Sequence, residues 1–208
     1  MNIAILAANG KLGHLLVQES LAKGLRVTAV ARKSNQTSSQ YFLKKDILEL
    51  KKEDLAPFDV IISAFGVSQL SDLPLFSVTT QHLLDLLEGS RKRLIVAGGA
   101  GSLYIDEGLR WVDATDFPAE LKPLAQAEDD AFALLRKNQT VRWLYVSPPA
   151  ELRFGQPKVG KTVLSDDHLR DNASGKSTLT YADYAEALIT EALSSKPHVR
   201  EHISFLES

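Results

Sequence analysis

Ala7, Gly10 and Gly13 carry the first chemistry this chain can do. They follow a short apolar run, Ile3 to Leu6, and they lead into a helical pattern with Leu12, Leu15, Leu16 and Leu21 on one face. A strand that feeds a turn of small residues opening a helix is an arrangement that holds a pyrophosphate. The first helical turn has free backbone N–H groups and the positive end of the macrodipole. Small residues let an anion reach them. The competing reading is a strand–turn–helix unit that binds nothing.

The spacing is not the usual G-x-G-x-x-G. Three small residues stand three apart, and the first is Ala7 where a glycine is customary. Glycine takes positive φ freely and alanine does not, so the departure has a conformational cost. A second feature lies about twenty residues past the turn, where the ribose of a bound dinucleotide meets the end of the second strand. An acid there accepts hydrogen bonds from ribose hydroxyls and repels a 2′-phosphate. This chain has Val30, Ala31, Arg32, Lys33 and Ser34, with no acid. The planar fork of Arg32 suits a phosphate, so the expected cofactor is NADPH in preference to NADH. The alternative is that Arg32 is only a solvated residue leaving a strand.

The elements that must position these residues are readable from hydrophobic patterning. The first helix is expected over residues 10–23, stopped by Gly24. Strands follow at residues 26–31, 41–43 and 58–63, and a short charged helix or turn falls at 49–55. A helix over 75–87 leads to a strand at 93–97. Residues 104–117 read as an irregular loop. Pro118 suits the first turn of a helix running to about Lys137, which is followed by a strand at 141–146. Alternating strands and helices imply a Rossmann-type, doubly wound parallel α/β sheet. Nothing divides the chain, so residues 1–208 read as one NAD(P)-binding domain. After Pro149 the pattern loosens, with a strand candidate at 162–164. Residues 150–180 are expected to form a small cap on the substrate side. Thr180 and Asp183 mark a helix start, and a last strand falls at 202–205.

Composition narrows the classes of function. The chain has 208 residues, 44% of them hydrophobic, and a net charge of −2. That is enough for a sizeable core and offers no general attraction to nucleic acid or a membrane surface. There is no cysteine, which excludes disulfides, thiolate metal sites and a cysteine nucleophile. No apolar run has the length of a membrane span. The N-terminus enters a strand directly, so a cytoplasmic setting is expected.

Several stretches together resemble one family. They are residues 2–13, 30–32, 46–47, 62–66, 93–103, 145–149 and 181–188, in the family's order and across nearly the whole chain. The chain resembles the atypical short-chain dehydrogenase/reductase group that includes proposed NAD(P)H-flavin reductases. It is similar, more distantly, to NmrA-like and flavin/biliverdin reductase proteins. The resemblance implies pyrophosphate contacts at Asn9, Gly10, Lys11 and Leu12 beside Ala7, and adenine contacts at Asp46 and Ile47. It implies that Ser63, Ala64, Phe65 and Gly66 lie by the nicotinamide ribose, and that Ser147, Pro148 and Pro149 lie near the nicotinamide. Each assignment has a rival: Asp46 as a solvated carboxylate, Ser63 as a small packed residue, Pro148 and Pro149 as a strand stop.

The Tyr-x-x-x-Lys acid–base motif of ordinary members is missing. Leu121 stands before Lys122, and the strand at 93–97 runs into Gly98, Gly99 and Ala100 with no hydroxyl before Ser102. That argues against alcohol dehydrogenase chemistry. Hydride transfer to a flavin needs stacking and proximity rather than that motif. Tyr104, Trp111, Phe117 and Phe154 are candidates for the substrate side, with loop anchoring as the rival role. His198 and His202 have a helical metal spacing but sit between a proline turn and a strand, so no metal site is expected. Asp166, Asp167 and His168 read as a turn. Two functions remain: an NADPH-dependent reductase of a flavin or similar planar acceptor, and an NmrA-like NAD(P)-binding regulator with little turnover. Either takes a small-molecule ligand.

Overall fold

The computed structural model describes residues 1–208. The strands are β1 (Asn2–Leu6), β2 (Arg26–Ala31), β3 (Tyr41–Lys44), β4 (Val60–Ser63), β5 (Arg93–Ala97), β6 (Tyr104–Asp106), β7 (Leu109–Arg110), β8 (Arg142–Ser147), β9 (Glu151–Arg153), β10 (Thr162–Ser165), β11 (Thr178–Thr180) and β12 (Glu201–Glu207). The helices are α1 (Lys11–Ala22), α2 (Lys52–Leu55), α3 (Leu75–Leu87), α4 (Lys122–Lys137) and α5 (Tyr181–Ala192). Eight strands form one sheet in the order β10-β12-β8-β5-β4-β1-β2-β3. All neighbours are parallel except β10, which runs antiparallel to β12. This is the doubly wound α/β fold that the patterning implies.

Strand periodicity divides the core between two faces. Ile3 and Ile5 of β1, Val60 and Ile62 of β4, and Leu144 and Val146 of β8 point to one side. There they meet Leu16 and Val17 of α1 and Tyr184, Leu188 and Ile189 of α5. Ala4, Leu6, Ile61, Trp143 and Tyr145 point to the other side, onto Leu83, Leu84 and Leu87 of α3 and Phe132 and Leu135 of α4. The central strands are therefore apolar through their middles, with polar residues only at their ends, as strands covered on both faces must be.

The chain steps outward from β1 to β2 and β3, then returns to β4 on the other side of β1. The strand order reverses at that point, and a crevice opens at the carboxyl ends of β1 and β4. Leu6 pairs with Ser63 in register, and the Ala64 N–H donates to the Leu6 carbonyl at 3.2 Å.

Several details differ from the sequence reading. α4 begins at Lys122 with Pro123, not Pro118, in its first turn. The loop after β5 contains the small antiparallel pair β6–β7. Within residues 150–180, β9 and β11 pair as a separate two-stranded parallel sheet, and β10 extends the edge of the main sheet. Lys158 reaches Glu186 of α5 at 3.1 Å and also pairs with Glu19 of α1. The Asp183 carboxylate accepts from the Val159 and Gly160 N–H groups, both at 2.9 Å. These contacts hold the segment after β9 against α1 and α5. No helix is long and apolar enough to cross a membrane.

At the other end of the sheet, Arg93 and Glu191 form a buried ion pair. Arg93 also donates to the Glu191 carbonyl at 2.8 Å and the His198 carbonyl at 3.1 Å, which anchors the end of α5 to the start of β5.

Candidate functional site

The turn after β1 is built on Ala7. Its φ is 56°, in the left-handed region, and its carbonyl accepts from the Gly10 N–H at 2.9 Å. Gly10 is the N-cap of α1, with φ −74° and ψ 169°. No side chain caps the helix, and its first turn holds no acid. The free N–H groups and the positive end of the dipole therefore face the crevice uncompensated. The two glycines differ in purpose. A Cβ on Gly10 would lie 3.2 Å from the Ala7 carbonyl oxygen, whereas one on Gly13 would lie 2.4 Å from it and 2.7 Å from the Ala8 Cα. Gly13 thus permits close packing of α1 on β1, and Gly10 keeps the outer surface of the turn clear.

Asn9 ties this turn to the segment after β2. Its Nδ2 donates to the Ser34 carbonyl at 2.9 Å, and its Oδ1 accepts from the Gln36 N–H at 3.1 Å. The Arg32 side chain is 76% exposed, and its Nε stands 3.7 Å from Asp46 Oδ2. Asp46 also caps the short turn that follows it. Its Oδ1 accepts from the Leu48 N–H at 2.9 Å, while Glu49 reaches back to the Asp46 N–H at 3.1 Å. Ile47 is buried among the α3-side core residues. Its side chain therefore points inward, and Asp46 is the member of the pair with a polar group near Arg32.

Across the crevice, Ser63 is buried at the end of β4. Phe65 packs edge-to-face on Phe76 with centroids 5.4 Å apart, and space beside Gly66 is open. At the end of β8, Ser147 is fully buried. Its hydroxyl donates to the Gly99 carbonyl at 2.8 Å and lies 2.8 Å from His202 Nε2. The hydroxyl hydrogen is committed to Gly99, so His202 donates through Nε2. Burial lowers the His202 pKa to about 4, so the ring is neutral and leaves Nδ1 as a buried acceptor with no partner. Pro148 and Pro149 follow, both buried. The turn residues, Arg32, Asp46 and the ends of β4 and β8 thus line the same end of the sheet, with the Ser147 hydroxyl turned inward.

The aromatic candidates separate. Trp111 and Phe117 pack on each other, centroids 4.9 Å apart, in a small cluster with Val112 and Ala125. Tyr104 lies against His168. These three anchor loops. Phe154 is 54% exposed; its ring meets Tyr181 edge-on at 5.3 Å, and Lys11 Nζ lies 4.8 Å from its centroid. It stands beside the start of α1. His198 and His202 serve different partners, Glu191 and Ser147. Asp166, Asp167 and His168 come together, but Asp166 is engaged by Arg170 at 2.8 Å, as a turn would have it. Lys122 is exposed.

Two features escape the sequence reading. Gly98 and Gly99 leave room for side chains from other elements: a Cβ on Gly98 would overlap the Tyr145 ring at 2.0 Å, and one on Gly99 would meet Glu128 Oε2 at 1.9 Å. Glu128 belongs to α4 and packs against the carboxyl end of β5. It shares the helix's inward phase with Ala125, Phe132 and Leu135, a pattern of three and four that marks it as facing the core. Burial raises its pKa to about 7. Glu128 is half-buried; its neighbour Asp129 is buried and paired with Arg110.

A family model described as NAD(P)H-binding matches residues 7–194. The uncharacterised protein YwnB of Bacillus subtilis (strain 168) is 34% identical over 196 residues, covering 92% of each chain. The structure of SP1627 of Streptococcus pneumoniae TIGR4, a protein proposed to be an NADH-flavin reductase, superposes with a TM-score of 0.97 at 41% identity over 100% of both chains. ChuY, an anaerobilin reductase of Escherichia coli O157:H7, shares the fold at 19% identity, with a TM-score of 0.72 over 100% of this chain and 97% of that one. The crevice at the strand-order reversal, the uncapped helix behind its small-residue turn and the match across most of the sequence agree: the chain belongs to the NAD(P)H-binding family, within the atypical short-chain dehydrogenase/reductase-like group.

Proposed function

We propose that the protein is a reductase that takes hydride from NADPH and passes it to a flavin or a similar planar acceptor. The observation that carries this reading is the Asn9 clamp, which holds the uncapped start of α1 and the segment bearing exposed Arg32 as one anion-binding surface. The cofactor's charge pattern fits it. Backbone N–H groups at Asn9 to Leu12 meet the pyrophosphate, and Arg32 meets the 2′-phosphate as a planar donor. Asp46 stays close enough to orient Arg32, and its backbone with that of Ile47 flanks the adenine. Ser63 to Gly66 line the ribose on the nicotinamide side, and Ser147 to Pro149 floor the nicotinamide. When bound, the nicotinamide supplies the hydride. The protein's part is to orient the ring, to exclude water and to hold the acceptor flat, a role suited to Phe154 and Tyr181 at the open side. The segment after Pro149 acts as the cover. Similarity to a proposed flavin reductase supports the choice of acceptor.

The test has two parts. Calorimetry with NADPH and NADH on wild type and Arg32→Ala reads the phosphate contact. Loss of a hydrogen bond to a charged group is worth roughly 1.5–3 kcal/mol, so NADPH is expected to weaken by about 10- to 150-fold while NADH is nearly indifferent. Equal losses, or a wild type preferring NADH, would show that Arg32 does not read the phosphate. Steady-state NADPH oxidation with FMN or FAD then reads turnover. Tight binding without turnover would favour the NmrA-like regulator.

A further inference from the structure

We propose that Glu128 is the proton donor of this reductase, delivering the proton that accompanies hydride transfer to the acceptor. This rests on the reductase reading above. The geometry is independent of it. Glu128 comes from α4, yet its carboxylate reaches the carboxyl end of β5 and packs directly on Gly99, where any side chain would displace it. β5 is the next strand to β4, so the carboxylate stands one strand from Ser63 to Gly66. No hydroxyl, amide or cation is bonded to it. The Tyr145 hydroxyl stands at the same glycine, accepting from the Gly99 N–H at 3.2 Å, and the charge of Glu128 is felt also by Tyr181, whose ring meets Phe154, and by Tyr184. Burial first, and then the charge of Glu128, hold Tyr145 and Tyr181 above the ordinary tyrosine range; for Tyr184 burial and then Tyr145 precede Glu128. The remaining local acid, Asp129, is neutralised by Arg110. With no cation to favour the charged form, desolvation keeps the Glu128 carboxyl protonated up to about pH 7.

Glu128 is half-buried, and a partly desolvated acid without a partner costs stability, so it is a poor structural choice at a position that leucine or glutamine would fill. A protonated carboxyl at the acceptor side has a use. Reduction of a flavin or a related conjugated acceptor adds one hydride and one proton. The hydride's electron pair comes from the reduced nicotinamide, which leaves oxidised. The O–H bond of Glu128 breaks, its proton bonds to the acceptor nitrogen or oxygen where negative charge develops, and its electrons stay on the carboxylate. Solvent then reprotonates Glu128. This supplies the acid that the missing Tyr-x-x-x-Lys motif leaves unprovided, and a working acid is most effective with a pKa near the operating pH.

The experiment compares wild type, Glu128→Gln and Gly99→Ala. Glutamine keeps the shape and removes the proton. The methyl on Gly99 pushes the flexible carboxylate aside without removing it. Infrared difference titration reads the carboxyl directly, NADPH binding is measured by fluorescence, and kcat with FMN is measured against pH. In wild type a protonated-carboxyl band is expected to fade with a midpoint near 7 and to be absent from Glu128→Gln. Both variants should bind NADPH within about twofold of wild type, and kcat of Glu128→Gln should fall at least about 100-fold, the lower range for general acids, with loss of the alkaline limb. A carboxyl already ionised near its ordinary value of 4.5 overturns the donor role. So does an active wild type matched in rate and pH profile by Glu128→Gln. A wild type that binds NADPH but never oxidises it overturns the reductase reading, and the donor role with it.

Discussion

Replacing Ala7 with glycine should stabilise the protein. Ala7 sits at φ 56°, where the Cβ of an L residue crowds the neighbouring carbonyl at a cost of roughly 1–2 kcal/mol. Glycine avoids that cost, but its freedom in the unfolded chain returns roughly 0.4–1 kcal/mol. Loss of a half-buried methyl takes a few tenths more. The net gain is about 0.5 kcal/mol. A chain of this size gains roughly 2–4 °C in Tm per kcal/mol, so Ala7→Gly should melt about 1–2 °C higher. The assay is differential scanning calorimetry without nucleotide, with Gly13→Ala in parallel. That second change forces a Cβ to 2.4 Å from the Ala7 carbonyl oxygen and 2.7 Å from the Ala8 Cα. Backbone must move, so about 1–3 kcal/mol should be lost, as in other overpacked sites. The two substitutions lie in one turn and should act with opposite signs. A lower Tm for Ala7→Gly, or no penalty for Gly13→Ala, would refute the account of strain and packing in this turn.

Gly10→Val should leave the fold intact, because Gly10 has φ −74° and ψ 169°, which valine adopts freely, yet NADPH binding by calorimetry should be lost. Glu191→Ala should cost about 3–5 kcal/mol in urea unfolding, since it strands Arg93 as a buried charge without its partner. Stability against pH should show two opposed groups. Glu128 keeps its proton in the folded state up to about 7 against an ordinary 4.5, so it removes stability as pH rises through that window. His202 stays neutral in the folded state down to about 4 against an ordinary 6.5, so it removes stability as pH falls through its own window. Each slope approaches 1.36 kcal/mol per pH unit as an upper limit. Glu128→Gln should therefore unmask a stability that rises with pH between 4.5 and 6.5, and denaturation curves across that range check it.

The sheet was legible because its central strands are continuous apolar runs bounded by polar residues and its helices repeat at three and four. The bounds of β2, α3 and β5 follow directly from those patterns. Long-range pairing left weaker marks. The outward residues of β10, Val163 and Leu164, are exposed, and nothing local in them says that the strand turns antiparallel against β12. Pro118 and Pro123 both suit a helix's first turn, and α4 opens at the second. At the site, the turn and Arg32 announce themselves by spacing and charge. Glu128 does carry a signal, an acid in the inward phase of α4, but it is masked by the acidic run Glu128, Asp129 and Asp130, which reads as a solvated face.

The central position of β1 has a consequence for how the chain reaches this structure. Ile3 pairs with Val27 on one side and with Val60 on the other. This interior strand must therefore wait for partners that follow it by tens of residues, and loop-closure entropy is spent before those contacts return anything. Until β4 arrives, Ile3 to Leu6 present an open edge to any other strand. Refolding should accordingly be slow for the chain's length and most prone to aggregate in its earliest phase, with protection of the β1 amides against hydrogen exchange appearing only once the β1–β4 pair has closed.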